Sequence, residues 1–282
     1  MPGPQRGTRP GMTTLGLPQT VRACLFDLDG VITKTAVVHA AAWKEMFDGF
    51  LRGRGSAPEH GRAGEDLRPF SPDDYDKYVD GRPRDDGVRT FLASRGIELP
   101  EGAEDDPPGR ESVQGLGNRK NDLLLEKIHK DGVEAYSGSV RYVRAVRQAG
   151  LRTAVVSSSK NCRDILVSVG IEELFEVRID GLVAEERGLP GKPAPDTFLA
   201  AAADLGVDAA ASAVFEDALA GMDAGRSGHF GYVVGVDRVG QADALRRHGA
   251  DTVVQDLSEL TESSGSTGST GSAEPSEPEE RT

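Results

Sequence analysis

Apolar residues gather in short runs at 21–28, 151–157, 177–180, 213–216, 232–236 and 251–254. Brief runs of this kind, without strict alternation, predict strands buried on both faces. Between the later runs the apolar spacing predicts helices at 139–149, 161–169, 195–205, 218–227 and 241–248. Strand and helix in alternation predict an α/β fold, a Rossmann-like parallel sheet covered on both sides. The interval 33–135 breaks this rhythm. It carries no convincing strand, but has helical patterns near 37–52, 73–79, 85–95 and 115–130, with polar loops at 53–70 and 99–114. It reads as a helical cap domain inserted after the first strand. Parallel sheets bind ligands at the C-terminal edges of their strands, so a cap leaving from that edge hangs over the site as a lid.

Four segments are therefore expected. Residues 1–20, rich in Gly, Pro and Thr and without periodicity, form a disordered lead. Residues 21–32 and 136–260 form the α/β core domain, and 33–135 the cap. Residues 261–282 form a Ser/Gly/Thr tail that turns acidic and cannot bury enough apolar area to fold.

Charge narrows the functional classes. The 282 residues hold 33 Lys and Arg against 46 Asp and Glu, a net charge of -13, so a nucleic-acid groove has no electrostatic support. An anionic substrate needs a local basic pocket instead. No segment is long and apolar enough to cross a bilayer, and no apolar stretch follows Arg6 and Arg9 to make a signal peptide. Cys24 and Cys162 lack metal-ligand spacing, and two isolated thiols suit a reducing compartment. The expectation is a cytoplasmic monomer that acts on a small molecule, with neither nucleic acid nor membrane as partner.

The candidate chemistry sits at strand ends. The first strand closes in Leu25-Phe26-Asp27-Leu28-Asp29-Gly30, where alternation sends Asp27 and Asp29 to one side and Gly30 permits a sharp turn. Two converging carboxylates need a cation between them or a proton on one, and a hard divalent ion such as Mg²⁺ suits oxygen donors; a strand ending in an acidic turn is the plain alternative. Ser157-Ser158-Ser159-Lys160 ends the next strand, as a phosphate cradle at a helix start or as a serine cap. Lys192 lies between Gly191 and Pro193 on a stiffened loop, positioned for a task or simply solvated. Glu216-Asp217 repeats the acid pair at a fourth strand end, with helix capping as the alternative. Acid pairs, hydroxyls and a lysine together fit Mg²⁺-assisted phosphoryl transfer, in which a carboxylate attacks while ion and lysine offset charge.

These clusters, in this order, resemble the haloacid dehalogenase superfamily, and within it the β-phosphoglucomutase-type sugar-phosphate branch. The resemblance implies that Asp27 is the nucleophile and Asp29 the general acid/base. It implies Mg²⁺ held by Asp27, the main-chain carbonyl of Asp29, Glu216 and Asp217, and the transferring phosphate held by Ser157, Ser158 and Lys192. In the cap, Thr35 matches the partner of the acid/base, His39 a residue near the reacting centre, and Trp43-Lys44 a pair flanking the sugar. Arg84 and the Lys120-Asn121 segment match contacts to the phosphate that is not transferred, and Lys160 matches a supporting position. His39 and Trp43 are also spaced for ordinary helix packing, and Arg84 beside Asp85 and Asp86 for a solvated helix start. The implied activity interconverts β-D-glucose 1-phosphate and glucose 6-phosphate through an aspartyl-phosphate and a β-glucose 1,6-bisphosphate. The alternative is a Mg²⁺-dependent sugar-phosphate phosphatase of the same branch; a non-catalytic phosphosugar-binding module is opposed by the intact acids and lysine. Lys34, Arg82-Pro83 and Ala218 depart from the branch pattern and leave the substrate open.

Overall fold

The structure is a computed structural model that describes residues 12–56 and 64–262. Six strands, β1 (Ala23–Phe26), β2 (Arg152–Val156), β3 (Val177–Ile179), β4 (Ser212–Glu216), β5 (Tyr232–Val236) and β6 (Thr252–Val254), form one sheet in the order β3-β2-β1-β4-β5-β6. Every neighbouring pair is parallel. Each strand lies within a residue or two of the apolar run that predicts it. β1 is central, with later strands added outward on either side of it. Its C-terminal end is thus the switch point where a doubly wound sheet opens a crevice.

Of the five helices between β1 and β2, the first four are α1 (Ala36–Ser56), α2 (Pro72–Asp74), α3 (Arg84–Ser94) and α4 (Val113–Asp131), with a π-helical turn at Tyr75–Val79. The rest flank strands β2 to β6, with two between β3 and β4: α5 (Ser137–Gln148), α6 (Cys162–Ser168), α7 (Gly181–Arg187), α8 (Asp196–Asp204), α9 (Leu219–Ser227), α10 (Ala242–Arg247) and α11 (Glu259–Glu262). The sequence pattern does not predict α7. It has no buried residue to mark a stripe, and it starts because Asp180 accepts hydrogen bonds from the amides of Leu182 and Val183.

Alternation along the strands splits the core in two. Cys24 and Phe26 face one cluster, and Ala23 and Leu25 the other. Phe26 stacks on Phe215 at 4.4 Å and meets Tyr142 edge-on at 6.4 Å. Each such fully buried side chain contributes about 1.5–3 kcal/mol. A third buried cluster belongs to the interval after β1 and centres on Trp43, Phe47, Phe70 and Phe91, with Phe47 and Phe91 only 4.0 Å apart. Its chain enters and leaves side by side: Tyr136 donates to the Ile32 carbonyl and Lys34 to the Glu134 carbonyl, both at 2.8 Å, around a Thr33–Ala135 bridge. The two chain passes into and out of this interval are thus hydrogen-bonded to each other.

The expected disorder of residues 1–20 needs correction over its described part. Leu15 and Leu17 are buried in the core cluster, the Tyr142 hydroxyl donates to the Leu15 carbonyl at 2.8 Å, and Met12 bridges Pro18. Two leucines two residues apart pack into that core without forming a periodic element, so pattern reading passes over them. The loop expected at 53–70 also yields its first residues, to Ser56, to the end of α1. Residues 1–11 of the lead, 57–63 of that loop and 263–282 of the tail lie outside the described residues.

Candidate active site

β1 carries the chain to Asp27, whose amide donates to the Phe215 carbonyl at 2.9 Å. The turn that follows depends on Gly30, with φ at +81° and with any Cβ placed 1.7 Å from Asp217 Oδ2. Glycine therefore lets the backbone after Asp29 lie directly against the acid at the end of β4. Glu216 closes β4 and turns one oxygen, Oε2, to the amides of Asp217 and Ala218, each at 3.0 Å. Carboxylate oxygens of Asp27, Glu216 and Asp217 lie within 4.8 Å of one another.

Lys192 enters from the loop before α8 and is only 1% exposed. Its ammonium donates to Asp27 Oδ1 and to the Val156 carbonyl, lies 2.6 Å from Glu216 Oε1, and sits 4.9 Å over the Phe198 ring. Burial pushes the Asp27 carboxyl well above its usual range; Lys192 opposes that, and Glu216 and Asp29 add to it. Asp217 is raised in the same direction by burial, then by Asp80 and Glu216. One buried ammonium faces several buried carboxylates, so the cluster holds more negative charge than its own cation offsets. All its donors are hard oxygens, which fit a divalent ion of the Mg²⁺ type better than a nitrogen- or sulfur-seeking metal.

Asp29 is held from three sides. The Thr35 hydroxyl donates to Oδ1 and is itself 2.7 Å from the Thr33 hydroxyl, while Ser157 Oγ lies 3.5 Å from Oδ2. His39 Nε2 stands 3.6 Å from Asp29 Oδ1, and Lys120 Nζ stands 3.0 Å from His39 Nδ1. Burial and then Lys120 lower the His39 imidazole to about 4, so it is neutral near pH 7. With the Lys120 ammonium donating to Nδ1, the ring proton resides on Nε2, facing Asp29. Lys120 is itself lowered to about 7 by burial and by Arg84, although Asp29 pulls the other way.

A cavity of about 300 Å³ separates these groups from a second wall. Asp27, Asp29, Asp217, Ser157 and Ser158 line it together with the cations Arg82, Arg84, Lys120 and Lys160 and the carboxylates Asp80, Asp85, Asp86 and Glu185. The cap loop 80–84 seats on the core: Ser158 Oγ donates to the Gly81 carbonyl at 2.7 Å, and a Cβ on Gly191 would fall 2.1 Å from Pro83 Cγ. Asn161 Nδ2 donates to Asn121 Oδ1 across the same seam at 3.0 Å. Lys160 is tied to Glu185 at 2.9 Å in the cavity wall. Trp43 lines the cavity with its indole 5.0 Å below Lys120 Nζ and its other face stacked on Phe47.

Lys44 is the exception among the expected residues. It sits one position beyond Trp43 on α1, turned about 100° around the helix, and bonds Asp48 and the Phe70 carbonyl at 2.9 and 2.8 Å, outside this cavity. The flanking role expected for it is therefore replaced by a structural one within the cap. Sequence reading also missed Tyr75, Asp80, Arg82, Ser159 and Asn161, all of which line the cavity. Four of the five lie inside or beside segments already singled out, so the segments were legible while the direction of each side chain was not. Asp80 is pushed to about 7 by burial and by Glu216, against a Tyr75 hydrogen bond.

Comparison with known proteins gives consistent relatives. A family model for haloacid dehalogenase-like hydrolases matches residues 21–229. A β-phosphoglucomutase of Mycobacterium bovis is 56% identical over 249 residues, covering 87% of this chain and 93% of that protein. A β-phosphoglucomutase of Bacillus subtilis is 30% identical, covering 85% and 91% respectively. Among solved structures, a β-phosphoglucomutase from Clostridium difficile superposes with a TM-score of 0.64 at 24% identity, over 85% of this chain and 93% of that one.

Proposed function

Because the chain belongs to the haloacid dehalogenase superfamily, in its β-phosphoglucomutase-like branch, we propose that it interconverts β-D-glucose 1-phosphate and glucose 6-phosphate through a phosphorylated Asp27. One observation carries the proposal: the cavity lined by Asp27, whose carboxylate Lys192 holds, is also lined by two cap cations, Arg84 and Lys120. A hydrolase needs one phosphate site. A sugar bisphosphate that must bind in either orientation needs two.

The residues divide the work as follows. Lys192 holds Asp27 Oδ1, which leaves Oδ2 as the attacking atom. In the forward direction the phosphoryl group on Asp27 passes to the 6-hydroxyl of the bound 1-phosphate, and Asp29 takes the hydroxyl proton. The bisphosphate then turns over, Asp27 attacks the phosphorus on the 1-oxygen, and Asp29 returns the proton to that oxygen as the bond breaks. Thr35 and Ser157 fix the Asp29 carboxyl for both steps, and the His39 Nε2–H faces it. Ser157, Ser158 and Lys192 bind the phosphate in transfer, while Arg84, Lys120 and Asn121 hold the other by charge-assisted hydrogen bonds. Mg²⁺ bound by Asp27, Glu216, Asp217 and the Asp29 carbonyl supplies charge neutralisation at the phosphoryl oxygens. The seated cap excludes water, so a sugar hydroxyl is the acceptor.

Mixing the enzyme with β-glucose 1,6-bisphosphate, quenching and peptide mass spectrometry tests this. The expected adduct is a phosphoryl group on Asp27, with turnover in Asp27→Asn reduced by about 10³-fold or more. An adduct on another residue, or an Asp27→Asn protein that still turns over, contradicts it.

A further inference from the structure

The two turns that bring the carboxylates together are also held from outside, by a loop that the reaction above does not use. β5 ends at Val236, and the Asp237 amide donates to the Val254 carbonyl at the end of β6, at 2.8 Å. The buried Asp237 carboxylate then accepts four amides in succession. Val239, Gly240 and Gln241 donate to Oδ1 at 3.2, 2.7 and 2.8 Å, and Ala242 to Oδ2 at 3.0 Å. Bonds to an ionised acceptor are the stronger kind, and four of them on one side chain make the loop 237–241 a fixed shelf.

The shelf presents two side chains to the main chain of the site. Arg238 Nε donates to the Gly30 carbonyl at 2.9 Å, and Gln241 Nε2 to the Asp217 carbonyl at 3.0 Å. Gly30 follows Asp29 directly, and its own amide donates to the Thr33 carbonyl at 2.8 Å. The peptide between them is trans and planar, so that bond aims the Asp29 carbonyl the opposite way, and Arg238 fixes the peptide after it. The peptide after Asp217 is held at both ends as well, its amide by Glu216 Oε2 and its carbonyl by Gln241. Arg238 is locked in turn. Its other nitrogens donate to the Gln255 carbonyl and lie 3.4 Å from Ser139 Oγ, and its guanidinium stacks 3.6 Å from the Tyr136 ring. Neither Arg238 nor Gln241 lines the substrate cavity.

We infer that Arg238 and Gln241 are positioning residues of the metal centre, which from one shelf set the spacing between the turn after β1 and the turn after β4. The inference rests on the metal assignment made above. Asp27 and the Asp29 carbonyl belong to the first turn, Glu216 and Asp217 to the second, so the ligand set is only as well formed as that spacing. The bare Gly30 lets the turns approach this closely, but a contact without a side chain does not stop them from sliding apart. A hydrogen bond from the same shelf to each turn does. Outer partners of this kind change metal affinity by about 10–100-fold when removed.

The test uses the full-length protein and Mn²⁺ as probe, with free and bound ion distinguished by electron paramagnetic resonance. Gln241→Met and Arg238→Met keep the apolar stem and remove the donors, and circular dichroism checks that each variant is folded. Each should weaken the Kd for Mn²⁺ by about tenfold. At a fixed, sub-saturating Mg²⁺ concentration kcat should fall by a similar factor, with KM for the sugar phosphate within about twofold, and saturating Mg²⁺ should restore kcat. Should Arg238→Met fail to fold, Arg238→Lys replaces it, because a single ammonium cannot reproduce the guanidinium's bonds and its stacking together. A wild-type Kd for Mn²⁺ in a folded variant, whatever its unfolding temperature, overturns the assignment of that residue and leaves the metal site standing. A KM that rises while Kd for the ion is unchanged does the same. Failure of the wild type to bind Mn²⁺ overturns the metal assignment and the inference with it.

Discussion

Lys192 is the residue on which the site's charge balance turns. A buried ammonium shared by Asp27 and Glu216 opposes the burial that pushes the Asp27 carboxyl well above its usual range. Lys192→Met should lower stability by about 3–5 kcal/mol, since it strands buried charge, and reduce kcat by about 10²-fold or more; thermal unfolding and steady-state kinetics measure both. Lys120 gives a pH signature. Its ammonium, lowered to about 7, loses its proton as pH rises through that value, and its attraction for the phosphate held by the cap fades. KM for the sugar phosphate should climb between pH 7 and 9 in the wild type, while Lys120→Arg, charged throughout, should flatten the climb. An identical climb in both proteins removes Lys120 from anion binding.

At the scale of elements, the loop 80–84 and the core loop at Gly191 decide whether the cap seats. A methyl group on Gly191 would meet Pro83 Cγ at 2.1 Å, an overlap that neither loop absorbs without moving apart. Gly191→Ala should therefore raise the share of phosphoryl transfer that goes to water, read as inorganic phosphate released per glucose 6-phosphate formed. Arg84→Ala should depress isomerisation at least tenfold more than hydrolysis of a small aryl phosphate, which has no second phosphate to grip; equal losses contradict its assignment. The same loop shows what the sequence makes legible. The strands, the acid pairs at their ends and the lysine between glycine and proline are local signals, and they locate Asp27, Asp29, Lys192, Glu216 and Asp217. The cap was visible as helices by period alone. Its side-chain directions were not, because Trp43 and Lys44 are adjacent in sequence yet face opposite surroundings, a difference set by how α1 packs against Phe47 and Phe70. Asp80 was hidden for the same reason: only the docking of its loop against Ala218 brings it to the core acids.

For the whole molecule, a net charge of -13 extends into the cavity, where seven carboxylates face four cations, so the chain's acidity is not reversed at the site. It also concentrates divalent ions near the protein. The cluster of Asp27, Glu216 and Asp217 that could hold a metal comes together only on folding, so on the proposed function metal removal should cost stability as well as turnover. Mg²⁺ at about 100 times its Kd should stabilise the fold by about 2.7 kcal/mol, and chelation should lower the unfolding temperature reversibly; an unfolding temperature indifferent to Mg²⁺ contradicts the site. Most direct for the central claim is one assay with purified protein, Mg²⁺, β-glucose 1-phosphate and a trace of β-glucose 1,6-bisphosphate, with glucose 6-phosphate and inorganic phosphate followed together. Glucose 6-phosphate accumulating well ahead of inorganic phosphate is the predicted result. Inorganic phosphate released as fast or faster would mark the protein as a phosphatase and contradict the reading.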